Sequence, residues 1–439
     1  MQDTPQVISA EKQTTAEDYS DKTTNFALMK EQNAHSSHPS SLAVVGGGAA
    51  GYFLAVCAKE LCHSIDVMIF EGGSRVLRKV RVSGGGRCNV TNTFENVTDL
   101  RQVYPRGHRL MKKLFNDFGP RDAFEWFERH GVQLTVQDDC CVFPASQQSG
   151  EIIDCLEHLA QRYGVKVKLG HPVRHLSELS GFDFVAIVTG GCTNETWLHT
   201  LADEAGVKAV HPVPSLFSLS IENESLRSLM GCVVENASVR LSGTKFAATG
   251  ALLVTHWGLS GPAILRLSSH AAPFLFEQAY HTSLAVAWMG EANEQEVLAM
   301  LNDMRQKHAD KQVQNTPPEA FTKRLWIYLT ERAQTGISTL RWNALAPKAI
   351  NRLVNTLCND TYTTSGRAPF KDEFVTCGGI ALESLHSSTL ESKNRPHVFF
   401  AGEVLDVDGV TGGFNFQAAW TTAHAVARAI AKEVCSGEA

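Results

Sequence analysis

The feature that most restricts the fold of this chain is Gly46-x-Gly48-x-x-Gly51. It stands directly after an apolar run over 42–46 (LAVVG) and opens a helical pattern over 49–61. A second strand pattern over 65–70 (IDVMIF) then ends at Glu71. This is a βαβ unit carrying the glycine fingerprint of dinucleotide binding. Gly46 permits the tight turn, Gly48 lets the backbone approach a pyrophosphate, and Gly51 lets helix and strand pack closely. Through Ala49 and Ala50 the helix N-terminus presents unpaired N–H groups and a positive dipole end to the anion. Glu71, twenty residues beyond Gly51, is positioned to accept hydrogen bonds from ribose hydroxyls, with Gly72 beside it. The pattern does not separate NAD from FAD.

The same stretch is where a hydropathy scan would suggest a membrane span. Residues 42–58 carry no charge, but they include four glycines and fall short of the roughly 20 apolar residues a span needs. No membrane anchor is expected. Forty Lys and Arg against 46 Asp and Glu leave a net charge of −6. That balance offers no footprint for a polyanion, so no nucleic-acid partner is expected. Eleven cysteines without any C-x-x-C exclude a zinc ribbon or dithiol motif and fit a reducing, cytoplasmic setting. Cys57, Cys62 and the pair Cys140-Cys141 are expected as core or surface thiols. His108 and His130 have no second ligand at metal spacing, so no metal is expected.

Residues 1–40 hold six acids, three Lys and no Arg, and are read as a disordered tail. From 41 to 200 the α/β alternation continues. Helices are predicted near 107–130 and 149–163, and strands at 165–169 and 183–188, the last running into Thr189-Gly190-Gly191. Residues 201–290 break into short β-like runs, 291–356 are helical and amphipathic, and 357–372 lead back. Over 373–439 the α/β pattern resumes, with a strand at 397–401 and a helix from about 414 to 434. A nucleotide domain built from both ends of the chain, interrupted by an insert, accounts for this order.

Two further motifs carry chemistry. Ser83-Gly84-Gly85-Gly86-Arg87-Cys88-Asn89 begins twelve residues after Glu71 and follows the cations Arg78, Lys79 and Arg81. Bare backbone amides beside a fixed guanidinium suit phosphate and the edge of a flavin ring. Far downstream, the strand ending at Ala401 runs into Gly402-Glu403 and then Asp408, and Gly412-Gly413-Phe414-Asn415 opens the last helix. A carboxylate after a strand suits a ribityl hydroxyl, and a helix N-terminus stabilises negative charge on a reduced ring. Paired with the first fingerprint, this second clamp selects FAD over NAD.

These residues resemble the BaiN-like (YhiN-type) flavoproteins of the two-dinucleotide-binding-domain superfamily. The likeness rests on VVGGGAAG, VSGGGRCNVTN, VFPAS at 142–146, THWGLSGPAIL at 255–265, VTCGGIALESLHSSTLESK at 375–393 and FFAGEVLDVDGVTGGFNFQAAW. It implies a three-layer, Rossmann-like FAD-binding domain, split by an inserted β-barrel-like and helical part and holding one non-covalent FAD. On this resemblance Gly46, Gly48, Gly51 and Glu71 contact pyrophosphate and ribose. Arg87, Cys88 and Asn89 lie near the flavin, and Gly402, Glu403, Gly413 and Asn415 clamp its ribityl chain and ring. The expected activity is an FAD-dependent oxidoreductase passing hydride through flavin N5 to a small organic substrate. NAD(P)H is the expected donor; no second GxGxxG is present, so it uses a transient site or the electrons come from elsewhere. His256 is a candidate acid, although a lone His is more often structural. An RNA-modifying flavoprotein and a flavin-bearing sensor without turnover are the alternatives.

Overall fold

The structure is a computed structural model that describes residues 39–191, 194–368 and 375–437. The expected tail, up to residue 38, lies outside the described residues, as do 369–372 of the expected return segment. The span-like run divides at its glycines into the strand Ser41–Val45 and the helix Ala49–Leu61. Among the described residues no helix is long and apolar enough to cross a membrane.

Five short strands make a parallel sheet. In spatial order they are Val398–Phe400, Phe184–Ile187, Ser41–Val45, Asp66–Phe70 and Lys166–Lys168. The first strand is therefore central, flanked by two strands from upstream of the insert, while one from the end of the chain forms an edge of the sheet. Helix Ala49–Leu61 is buried continuously from Ala50 to Ala58, as expected of a helix without a polar face. It packs beside the final helix, Phe414–Gly437. Phe53 meets Trp420 at 5.1 Å and Trp126 at 4.6 Å between ring centroids, and Phe127 meets Trp420 at 5.4 Å. Trp420 is fully buried, so truncating it to Ala costs about 3–5 kcal/mol.

The predicted helical region 107–130 resolves into His108–Leu114 and Pro120–Arg129, broken at the Gly119-Pro120 pair. A small antiparallel sheet of Thr91–Asn92, Cys141–Pro144 and Leu134–Val136 sits beside it, which the sequence pattern did not show. Its strands are too short for a period to register.

Between the two halves of the parallel sheet, six antiparallel strands close into a barrel: Val233–Leu241, Ala247–Val254, Gly258–Ser260, Leu219–Ile221, Asp360–Arg367 and Ser283–Ala287. Helices Glu294–Lys307, Lys323–Ala333 and Pro347–Asn359 precede the fifth of these strands. Buried apolar residues fall into two large clusters, one drawn from 42–207 and 380–434, the other from 217–362. Trp288, Trp326 and Trp342 are fully buried in the second. Each indole N–H finds an acceptor there: Asp360 at 3.0 Å, the Val313 carbonyl at 2.7 Å and Thr316 at 2.7 Å. Asp360 is also paired with Arg332. A two-stranded ribbon, Ala209–Ser215 against Val375–Ile380, carries the chain into and out of the barrel.

Candidate functional site

The first glycine loop is shaped by close packing. A Cβ on Gly51 would overlap the Gly46 carbonyl oxygen, so helix and strand approach only because the side chain is absent. Around Gly48, by contrast, a Cβ would meet nothing within 4 Å, and Gly48 caps the first helix without a side-chain hydrogen bond. Glu71 accepts from the backbone N–H groups of Gly47 at 2.9 Å and Gly73 at 2.7 Å. It therefore fixes the loop while retaining acceptor capacity for a ribose.

The second loop is bent through Gly84, Gly85 and Gly86, all at positive φ, and space is open around the last two. Arg87 lies 4.3 Å over the Phe143 ring and donates to the Gly84 carbonyl at 3.1 Å. Cys88 is fully buried. Burial pushes its thiol up to about 12, so it stays protonated at neutral pH and packs rather than reacts. The Asn89 amide, oriented to satisfy its neighbours, accepts from the Gly413 N–H at 3.1 Å and donates to the Thr91 carbonyl at 2.8 Å.

That bond joins this loop to the start of the last helix. A Cβ on Gly413, at φ +87°, would overlap the Thr91 carbonyl. Asn92 donates to the Gly412 carbonyl at 3.1 Å, Thr91 to Gln417 at 2.5 Å, and the Trp420 indole to the Val90 carbonyl at 2.9 Å. Asn92, Thr91, Gln417 and Trp420 were not among the expected site residues. The strings NVTN and QAAW contained them, but only the fold pairs one string with the other.

Glu403 accepts from Lys79 at 2.8 and 3.0 Å and from the Thr376 N–H at 2.9 Å. Gly191 lies so close that a Cβ would come within 2.6 Å of the carboxylate. Gly402 would similarly press a Cβ to 2.8 Å from that of Ala50. Lys79, Gly191, Thr376, Gly402 and Glu403 thus converge at the first helix N-terminus. Next to Gly46, the Thr189 hydroxyl is buried without a partner. Open backbone at Gly48, Gly85 and Gly86, together with an unanswered buried hydroxyl, is what an extended dinucleotide ligand would fill.

Other expected residues are placed differently. The Asn415 amide is used within the chain, on Gly409 N–H and C=O, both at 2.8 Å. The Phe414 ring is buried against Phe94 at 5.0 Å, and its carbonyl accepts from Tyr104 at 2.8 Å. Asp408 is fully buried and ion-paired with Arg106. Burial raises its carboxyl, opposed by Arg106 and by Ser215, which donates at 3.0 Å. Ser83 turns back onto the Val80 carbonyl at 2.8 Å, and Gly72 faces Pro172. His256 is exposed on the turn before Gly258–Ser260, its ring 4.2 Å from that of Trp257. The strand register pairs Gly258 with Ser220 in the barrel. Among the described residues, no hydrogen bond or ring contact joins it to the glycine loops. The same string starts a helix at Pro262, the first-turn position that proline suits, capped by Gly261.

Residues 40–429 match the family described as HI0933-like protein Rossmann domain. The chain belongs to this family. The Rossmann-like fold with a barrel accords with the sequence reading. Over 408 residues it is 27% identical to a ribosomal RNA dihydrouridine synthase of Escherichia coli, covering 88% of this chain and 96% of that one. Over 414 residues it is 26% identical to a 3-dehydro-bile acid delta(4,6)-reductase of Clostridium scindens, covering 89% and 99%. Among solved structures, a flavocytochrome c3 fumarate reductase aligns with TM-score 0.42 at 16% identity, over 93% of this chain and 81% of that one.

Proposed function

We propose that this protein saturates a carbon–carbon double bond conjugated to a carbonyl, with NAD(P)H as electron donor and a small organic molecule as substrate. The observation that carries the reading is the paired cradle: two open glycine loops, at Gly48 and at Gly85-Gly86, the second tied to the glycine-rich segment at the end of the chain by Asn92 on the Gly412 carbonyl. The names of both relatives describe saturation of such a bond, in a uracil ring and in a 3-oxo steroid. FAD, when bound, supplies hydride transfer between donor and substrate.

The residues divide the work. Amides at Gly48 and Ala49 hold the pyrophosphate at the first helix N-terminus, and Glu71 receives the ribose. Glu403 and Thr189 hold the ribityl chain. Arg87, kept in place by Phe143, and the N-terminus of the last helix oppose negative charge at the ring. Asn415 acts indirectly, by fixing Gly409 and so the loop that leads into that helix. One dinucleotide fingerprint would serve one resident cofactor, and the donor would then bind transiently.

A second reading, with a uracil in RNA as substrate, is favoured by one observation. Arg75, Arg78, Lys79, Arg81 and Arg87 are all exposed, and no acid occurs between 72 and 94. Such a rim suits a phosphate backbone. Anaerobic reduction of the FAD-loaded protein by NADH and by NADPH, followed by reoxidation with enones or uracil-containing RNA, tests both readings. Bleaching by a nucleotide and recovery with enones is the expected result. Recovery with RNA alone, lost at high salt, moves the proposal to the second reading. A flavin inert to both nucleotides refutes the donor assignment, and a protein that takes up no FAD refutes the proposal.

A further inference from the structure

Asp408 was expected at the cofactor, yet its carboxylate is committed to Arg106. The guanidinium donates through both Nε and Nη2 to the two carboxylate oxygens, the bidentate geometry for which arginine is suited and lysine is not. Asp408 is 0% exposed, and the Arg106 side chain only 18%. The same Nη2 donates to the Ser269 carbonyl at 2.8 Å, in the helix Pro262–His270 that packs against the barrel. Ser215, where the connecting ribbon begins to enter the barrel, donates to Asp408 at 3.0 Å.

The other side of Asp408 leads to the cradle. Gly409 is clasped by the Asn415 amide through two bonds of 2.8 Å. Val410 N–H donates to the Val103 carbonyl at 2.9 Å, and the Gly412 carbonyl accepts from Asn92 at 3.1 Å. Segments 103–107 and 407–410 therefore run side by side, with Arg106 and Asp408 forming a backbone bridge as well. One buried ion pair ties together the barrel helix, the connecting ribbon and the loop that sets the last helix N-terminus.

We infer that Arg106 is a positioning residue for the flavin: through Asp408 it couples the seating of the barrel to the shape of the 402–413 loop. The inference rests on the cradle being the FAD site. Arg106 itself makes no cofactor contact in this scheme. Its effect passes through Asp408, Gly409 and Asn415.

The test is FAD titration of apoprotein, with the visible flavin spectrum of each saturated sample. Arg332–Asp360, an Arg–Asp pair joining helix Lys323–Ala333 to a barrel strand with only its carboxylate buried, provides the comparison. Arg106→Gln is expected to weaken FAD binding about tenfold or more and to shift the bound-flavin spectrum. Arg106→Lys, which keeps the charge without the fork, is expected to give a smaller loss in the same direction. Arg332→Gln is expected to lower the melting temperature with FAD affinity and spectrum unchanged. Wild-type affinity and spectrum in Arg106→Gln overturn the inference, as does an equal flavin effect from Arg332→Gln. If Arg106→Gln does not fold, wild-type behaviour in Arg106→Lys overturns it instead. A wild-type protein that takes up no FAD overturns this inference and the cradle reading together. FAD binding without reduction by either nucleotide leaves this inference standing and removes only the donor assignment.

Discussion

The two halves of the cradle are built by different means. The loop at 46–51 is held by neighbours: Gly46 N–H on the Phe70 carbonyl at 2.8 Å and Gly47 N–H on Glu71 at 2.9 Å, all within one βαβ unit. The other half, 83–92 with 402–417, is held together by bonds spanning more than three hundred residues. These include Thr91 to Gln417, Asn92 to Gly412 and the Trp420 indole to Val90. The first loop is a local steric solution, serviceable for any dinucleotide. The second exists only after the chain ends have met, and on the proposed reading it is the half that would distinguish a flavin.

Substitution of the two tightest glycines separates these roles and has the largest expected effect. Gly51→Val places branched carbons where the Gly46 carbonyl lies, breaking the βα packing, and is expected to abolish soluble folding. Gly413→Ala strains a single turn, at φ +87° and against the Thr91 carbonyl. It is expected to keep the far-ultraviolet circular dichroism while lowering FAD affinity about a hundredfold, ~2.7 kcal/mol. Equal loss of fold in both variants would erase the distinction between a local and a long-range half.

Next in size is Asn92→Ala. Asn92 is 4% exposed and serves both the Gly412 carbonyl and the Phe94 N–H. Losing it strands two part-buried groups, at a cost of about 1 kcal/mol read by chemical denaturation. FAD should also dissociate faster. Unchanged dissociation alongside lost stability would make Asn92 a framework residue with no hold on the cradle.

The same comparison explains what the sequence revealed. The helix at 49–61, the strands on either side of it and the start at Pro262 were legible, because each is announced by its own glycines, prolines or apolar period. The paired halves were legible only as motifs. SGGGRCN and AGEVLDVDG could be assigned to one cofactor, but nothing in either string says that Asn89 meets Gly413 or that Thr91 meets Gln417. Asp408 shows the limit most clearly. An acid in a glycine-rich loop reads as a ligand contact, and only the approach of Arg106 from three hundred residues upstream makes it an anchor. His256 shows the converse: among the described contacts its ring meets Trp257 and none joins it to the glycine loops.

A smaller effect probes the local side of the comparison, at the far end of the first helix. Glu60 accepts from His130 at 2.8 Å, Trp126 at 3.1 Å and Tyr163 at 3.3 Å. Burial raises its carboxyl, but these bonds outweigh burial and hold it below its usual value. A carboxyl held low in the folded state adds stability above its unfolded pKa, and that stability is lost as pH falls through the folded value. Melting temperature of the wild type should therefore drop on acidification from about pH 5. Glu60→Gln should start lower at neutral pH and fall less steeply. Parallel profiles would remove Glu60 from the acid-sensitive set. FAD affinity should follow stability alone, because this end of the helix does not touch the cradle.

The smallest change in stability is expected at Lys79→Met, although the residue joins the two halves through Glu403. Lys79 is 55% exposed and Glu403 19%, and an ion pair this open contributes about 0–1 kcal/mol. The melting temperature should scarcely move. A cation at the first helix N-terminus has a second use, however, as a partner for phosphate, and that use depends on the ligand rather than on the fold. FAD affinity is accordingly expected to fall several-fold at low salt, with the wild type and the variant converging as salt is raised. Loss of stability without loss of affinity would make the Lys79–Glu403 pair a strut between the halves. Loss of affinity alone makes it part of the surface that the two halves create for the cofactor.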